Sequence, residues 1–179
     1  LLVYVSALMF VGRRFAGPIV SRISSVGLMF VSCVAAGIGL YLLSLADSPL
    51  LAFGAATVWG LGVCWMWPTM LAIVSERFPR GGAMAMGLMG FAGGMSIQFV
   101  LPVMGGIFDA AKAEAAGGAG QLAGLSGEAL QEVIRYASVE SFQSVAVIPL
   151  LLLPVFGVIW LADRRRGGHQ PEIIGGPAA

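Results

Sequence analysis

Two adjacent arginines, Arg13 and Arg14, interrupt an apolar stretch at the start of the chain. An arginine near the bilayer centre costs about 2.5–3.5 kcal/mol on insertion scales, so it needs a partner or a task. Arg13 stands nine residues before Arg22, which is about 13 Å along a helix. Helical spacing gathers Ser6, Phe10, Arg13 and Gly17 near one face and turns Arg14 about 100° away. On one reading the side chains snorkel to the headgroups. On the other, Arg13 faces a bundle interior and binds an anionic or hydroxyl-rich solute, or a carboxylate that carries a proton. No acidic residue lies in the core of any apolar stretch of this sequence.

A second constellation is GLGVCWMWPTM, residues 60–70. Gly62, Trp65, Thr69, Ala72 and Glu76 share one helical stripe. An aromatic plate, a hydroxyl and an approachable backbone on one side suit a sugar-like solute. Pro68 frees the carbonyl four residues earlier and predicts a kink there. Interface anchoring is the other reading of the tryptophans, although Trp65 and Trp67 sit deep for a headgroup belt. A third stripe carries Gly87, Gly90, Gly94 and Gln98. Gly90 and Gly94 form a GxxxG, which predicts helix packing. Gln98 either hydrogen-bonds across helices or touches a solute. Five methionines on the same stretch (Met84, Met86, Met89, Met95, Met104) read as deformable packing. Arg22, Glu76, Arg77 and Arg80 cluster at one mouth. They set topology, and they also fit a gate of ion pairs that forms and breaks.

Enzyme signatures are poor. His169, the only histidine, lies in the C-terminal tail, and no H-E-x-x-H occurs. Cys33 and Cys64 both sit in apolar runs with no C-x-x-C. The expectation is no enzyme, no metal and no cofactor.

These residues must be held by membrane helices. Of 179 residues, 58% are hydrophobic and 11% charged, against about 45–50% and about 25% in soluble domains. That excludes a soluble globular enzyme, a disordered chain and a nucleic-acid binder, and a net charge of +1 gives no field to steer polyanions. Five spans are predicted, at about 1–20, 26–46, 50–74, 83–108 and 142–162, each near the roughly 20 residues a crossing needs. An outer loop fills 109–141, flexible at first and then helical from an N-cap at Ser126. Residues 1–166 form one transmembrane bundle, and 167–179 a disordered cytoplasmic tail. Arg22, Arg77, Arg80 and Arg164 to Arg166 fall on one side, against Lys112 and Arg135 on the other. The first side is therefore read as cytoplasmic, in a cell inner (plasma) membrane. The chain opens inside a span with no signal-peptide pattern, and is expected to be the C-terminal part of something longer.

Together these features resemble the major facilitator superfamily, in its C-terminal half, over about residues 1–166. The sharpest match is GPIVSRISSVG, Gly17 to Gly27. It resembles the loop motif G-x-x-x-D-R-x-G, with Gly17 at the first glycine and Arg22 at the arginine. Ser21 stands where the family has Asp, and Ser24 where it has Gly. VGRRFAGP and WPTMLAIVSERFPRGGA are distantly similar to helix eight and to the helix ten–eleven junction of bacterial sugar and metabolite permeases. Arg13 matches the permease arginine, and Arg14 departs from an aromatic position. The resemblance implies an all-α fold in which the five spans are helices eight to twelve of a twelve-helix protein. It implies alternating access around a site at the midplane. Spans one, three and four border the cavity, and spans two and five face lipid.

The expected function is therefore secondary active transport of a small polar organic solute, sugar- or carboxylate-like. Arg13, Trp65, Thr69 and Gln98 would touch the solute. Arg22, Glu76 and Arg77 would gate it. The expected partners are the solute, the bilayer and the N-terminal half of the same protein, with H⁺ as an option and no nucleic acid. The alternative is a non-transporting membrane sensor or assembly module.

Overall fold

The computed structural model describes residues 1–167. The expected disordered tail, with His169, therefore lies almost wholly outside the described residues. The chain is helical: α1 (Leu2–Arg13), α2 (Ala16–Ile23), α3 (Ser25–Ser44), α4 (Pro49–Cys64), α5 (Met66–Arg77), a 3-10 turn (Pro79–Gly81), α6 (Gly82–Ala115), the short α7 (Ala119–Leu122) and α8 (Gly127–Arg165). No strand occurs among the described residues. Four stretches are long and apolar enough to cross a membrane: Ser25–Ser44, Pro49–Arg77, Pro79–Ala115 and Gly127–Arg165. The protein is membrane-embedded.

The first expected span is not one helix. It breaks into α1 and α2 at Arg14 and Phe15. Proline removes an N–H and its ring clashes with the carbonyl four residues back. Counting back from Pro18 gives Arg14, where α1 is capped. Counting back from Pro68 gives Cys64, where α4 ends and Trp65 separates it from α5. The predicted kink at Pro68 is thus present, and an unpredicted one follows the same rule. Pro102, Pro149 and Pro154 sit inside unbroken helices, so proline alone does not decide.

The expected outer loop is also mostly helix. α6 continues to Ala115 and α8 starts at Gly127. Ser126 occupies the N-cap with extended backbone, but its side chain makes no capping bond. At 34 and 39 residues these helices are about 51 and 58 Å long. Both exceed the roughly 30 Å of hydrocarbon. Their paired ends therefore project beyond it as a helical hairpin.

α3 is the centre of the bundle, packed on α8, α4, α5 and α2. This corrects the expectation that span two faces lipid. The reason is its small residues: Ser32, Cys33, Ala36, Gly37 and Gly39 are all buried, and small residues let helix backbones approach closely. A Cβ on Gly39 would stand 2.4 Å from the backbone N of Trp59 in α4. One on Gly27 would stand 2.8 Å from Nε1 of Trp160 in α8. Trp160 stacks on Phe30 at 5.7 Å between ring centroids. Only a narrow stripe of α3, including Val31 and Ile38, stays exposed.

α3 begins on an unusual residue. Ser24 has φ 73° and ψ 160°, the one positive φ outside glycine among the described residues. That region is nearly confined to glycine, and a side chain there costs about 1–3 kcal/mol. The Ser24 hydroxyl accepts from Gly27 N at 3.2 Å, capping α3, and exchanging such a cap for Gly costs only a few tenths of a kcal/mol. Ser24→Gly should therefore stabilise the protein by about 1 kcal/mol. A thermal melt in detergent checks this. An unchanged or lower midpoint would mean that the backbone is not strained.

Candidate functional site

The two broken helices meet at their breaks. Phe15 lies at φ −93°, ψ 0° and Trp65 at φ −97°, ψ −11°. Both occupy the sparsely populated bridge between helix and sheet, where many active-site residues sit. Trp65 Nε1 donates to the Gly12 carbonyl oxygen at 2.9 Å. That carbonyl belongs to the last turn of α1 and also accepts from Phe15 N at 3.1 Å, so the indole adds a second donor to it. Gly12 is buried, and a Cβ on it would stand 3.0 Å from Cys64 Sγ. The glycine is what lets the end of α1 touch the end of α4.

α1 and α4 run parallel. Tyr4 pairs with Thr57 at 2.6 Å, Leu8 covers Gly60, and Gly12 meets Cys64 and Trp65. α3 runs opposite to α4, with Gly39 at Trp59, Ala36 at Gly62 and Ser25 at Glu76. α3 also runs opposite to α8, with Gly27 at Trp160 and Gly37 at Leu150. Consecutive spans therefore alternate in direction and deliver both breaks to one level of the bundle.

Arg13 ends α1 beside this junction, and its side chain and that of Arg14 are exposed on this chain. Trp65 is half-buried. Thr69, one turn along α5, is buried at 4% exposure, not on an open face. The stripe from Gly62 to Glu76 turns largely toward α3: Gly62 presses on the Ala36 backbone, and Glu76 accepts from Ser25 Oγ at 2.8 Å. Gln98 stands apart. It is exposed on α6, which packs on α8 and α5 and is otherwise uncovered. Trp65 is thus brought to the residue that precedes Arg13, while Thr69 is buried and Gln98 is exposed on another helix. Gly90 and Gly94 meet nothing within 4 Å. The close approach expected there occurs at Gly93, where a Cβ would stand 2.8 Å from the Trp67 ring. One residue is a 100° turn of the helix, enough to move the contact to another face.

The mouth residues join three helices at the arginine-rich end. Arg77 forms an ion pair with Asp163 of α8, and both are largely shielded from solvent. Glu76 reaches the start of α3, and Arg22 is exposed at the end of α2. Ser24, Ser25, Glu76, Arg77 and Asp163 line a small polar cavity between these helix ends. Sequence reasoning missed Asp163. It stands beside three arginines in the sequence, and only the fold brings it to Arg77. Removing either partner, as Arg77→Gln or Asp163→Asn, should lower stability by about 1–2 kcal/mol. The reversed pair, Arg77→Asp with Asp163→Arg, should recover most of it. A double-mutant cycle in thermal melts tests this. Purely additive losses would mean the pair contributes nothing.

Among the described residues no three His, Cys, Asp or Glu side chains converge as metal ligands. The far end carries Asp47 with Arg135 at 3.2 Å, and Asp109 with Lys112 at 2.7 Å. Compared with known proteins, the chain matches no family model, no curated protein and no solved structure.

Proposed function

We propose that this chain is the C-terminal transmembrane portion of a secondary active transporter of the major facilitator type. It moves a small polar organic solute, sugar- or carboxylate-like, by alternating access. The observation that carries this reading is the crossing of two interrupted helices at Gly12 and Trp65, with Arg13 on the break. Interrupted helices border the solute site in many secondary transporters, because their free backbone ends must line a cavity or a neighbour. Arg13 supplies the charge that orients a carboxylate or hydroxyls, and Trp65 the aromatic face.

Ser24 supports the family reading independently. Its backbone adopts a glycine conformation at the position where the loop motif G-x-x-x-D-R-x-G has its last glycine. The arginine-rich end is assigned to the cytoplasmic side of an inner or plasma membrane by its basic residues. The carboxylates of the described residues lie at the two ends and not at the crossing, so proton coupling would need a carboxylate from another segment.

The test is uptake of radiolabelled sugars and small carboxylates by proteoliposomes holding the intact protein. Accumulation against a gradient supports transport, and its collapse with a protonophore assigns the coupling to H⁺. Saturable binding without flux for every solute would replace this reading with a non-transporting sensor.

A further inference from the structure

The hydroxyls of Ser25, Ser32, Ser44, Thr69 and Ser141 are buried in the bundle. Three of them are met. Ser25 donates to Glu76, and Ser44 and Ser141 donate to backbone carbonyls one turn back. Ser32 is 1% exposed, and its Oγ has no hydrogen-bond partner among the described residues. Thr69 is 4% exposed, and its hydroxyl has none there either. The two unmet groups stand on facing stripes. Ser25, Ser32 and Ala36 share one side of α3, and Gly62, Thr69 and Glu76 recur every seventh residue through α4 and α5. Seven residues are nearly two full turns, about 10.5 Å. Ser25 meets Glu76 at one end, and Ala36 meets Gly62 at the other. Ser32 and Thr69 each lie seven residues inward from the Ser25–Glu76 bond, so they come to one level between the two contacts.

We infer that Ser32 and Thr69 are ligands of a Na⁺ ion held between α3 and α5. Neutral oxygens suit a hard cation. No carboxylates converge among the described residues, which favours a single positive charge over a divalent ion. The interrupted helix supplies further oxygens. α4 stops at Cys64, five residues before Thr69, and Pro68 has no N–H to return to the Cys64 carbonyl. The C-terminal end of a helix also carries partial negative charge. Interrupted helices hold Na⁺ through such carbonyls and helix ends in secondary transporters. The close approach of Gly62 to the Ala36 backbone favours a small ion over K⁺. Arg13 does not face the site. Its neighbour Gly12 meets Cys64, which lies about 200° around the helix from Gly62. Binding of the ion does not rest on the transport reading. Its use in coupling does, and that use would need no carboxylate inside the membrane.

The intact protein in neutral detergent is titrated with NaCl, KCl or choline chloride at one ionic strength. Thermal midpoints are read, and bound radioactive Na⁺ is counted at equilibrium. Na⁺ should raise the midpoint and saturate, and K⁺ and choline should do neither. Ser32→Ala and Thr69→Val should each weaken Na⁺ binding by at least about tenfold. Each removes a group that is unmet without the ion, so neither should lower the midpoint in choline chloride. Either variant stands on its own if the other does not fold. Ser141→Ala deletes a buried hydroxyl that is already met and should leave Na⁺ binding unchanged. Equal shifts with Na⁺ and K⁺ would mean screening of surface charge and would overturn the site. So would Na⁺ binding that survives both variants. A midpoint indifferent to every salt would also overturn it, and the two hydroxyls would then hold a water. These results are independent of flux. Absence of uptake for every solute would remove the transport reading and leave the ion site standing, whereas absence of Na⁺ binding removes the site whatever the uptake assay finds.

Discussion

Gly62→Ala should prevent the bundle from assembling, although it adds one methyl group. A Cβ at Gly62 would stand 2.5 Å from the backbone N of Ala36 and 3.0 Å from its Cα. No rotamer change relieves a clash with backbone. The two central helices would have to separate, and the close approach of Gly39 to the Trp59 backbone, where an added Cβ would stand 2.4 Å from the Trp59 N, would open with it. Overpacking a core costs about 1–3 kcal/mol where side chains can yield. Here they cannot, so the loss should exceed about 3 kcal/mol, a large part of the 5–15 kcal/mol that proteins usually hold in reserve. Gly54 in the same helix is the control. It is exposed with nothing within 4 Å, so Gly54→Ala should stabilise by about 0.5–1 kcal/mol through helix propensity. Yield of monodisperse protein and the melting midpoint report both. A Gly62→Ala protein that melts like wild type would mean that α3 and α4 do not touch as described.

Arg13→Ala should abolish concentrative uptake while leaving insertion intact. A hydrogen bond to a charged group contributes about 1.5–3 kcal/mol, so apparent affinity should fall roughly 10- to 100-fold. Insertion should improve slightly, because a costly charge leaves the apolar segment. Arg14, next in sequence but capping the helix on another bearing, provides the contrast. Arg14→Ala should keep uptake within about twofold if it only snorkels. Initial rates in proteoliposomes, normalised to inserted protein, decide between the two. Wild-type uptake by Arg13→Ala would remove this residue from the solute site, and equal losses in both variants would point to the break itself.

What could be read in advance depended on how local the cause was. The interruption at Trp65 falls where Pro68 places it, four residues on from Cys64, and a kink there was foreseen. The interruption at Arg14 has the same spacing from Pro18, but a run of residues apolar except for Arg13 and Arg14 argued for a single crossing. Direction and basic-end clustering follow from short connections. Neighbour choice does not: nothing in the composition of 25–44 says that it becomes the most enclosed helix. The signal was present in its small residues on several faces, but small residues also occur on α6, where Gly90 and Gly94 are uncovered. The partner of Arg77 was likewise invisible, since Asp163 lies 86 residues away. Of the residues proposed to face a solute, Trp65 meets the end of α1 next to Arg13, while Thr69 and Gln98 were assigned by stripe, and a stripe does not say which neighbour it meets.

The α6–α8 hairpin has a practical consequence for imaging. A small membrane protein inside a detergent micelle offers an electron microscope almost nothing to align particles on. Residues 127–141 of α8 carry the helix roughly 20 Å past the expected crossing, in register with the end of α6. A continuous helix holds its direction, so an antibody fragment raised against this segment would sit rigidly with respect to the bundle. The hairpin thus provides a fiducial handle at the end opposite Arg77 and Asp163, where its binding would leave the helix crossing undisturbed.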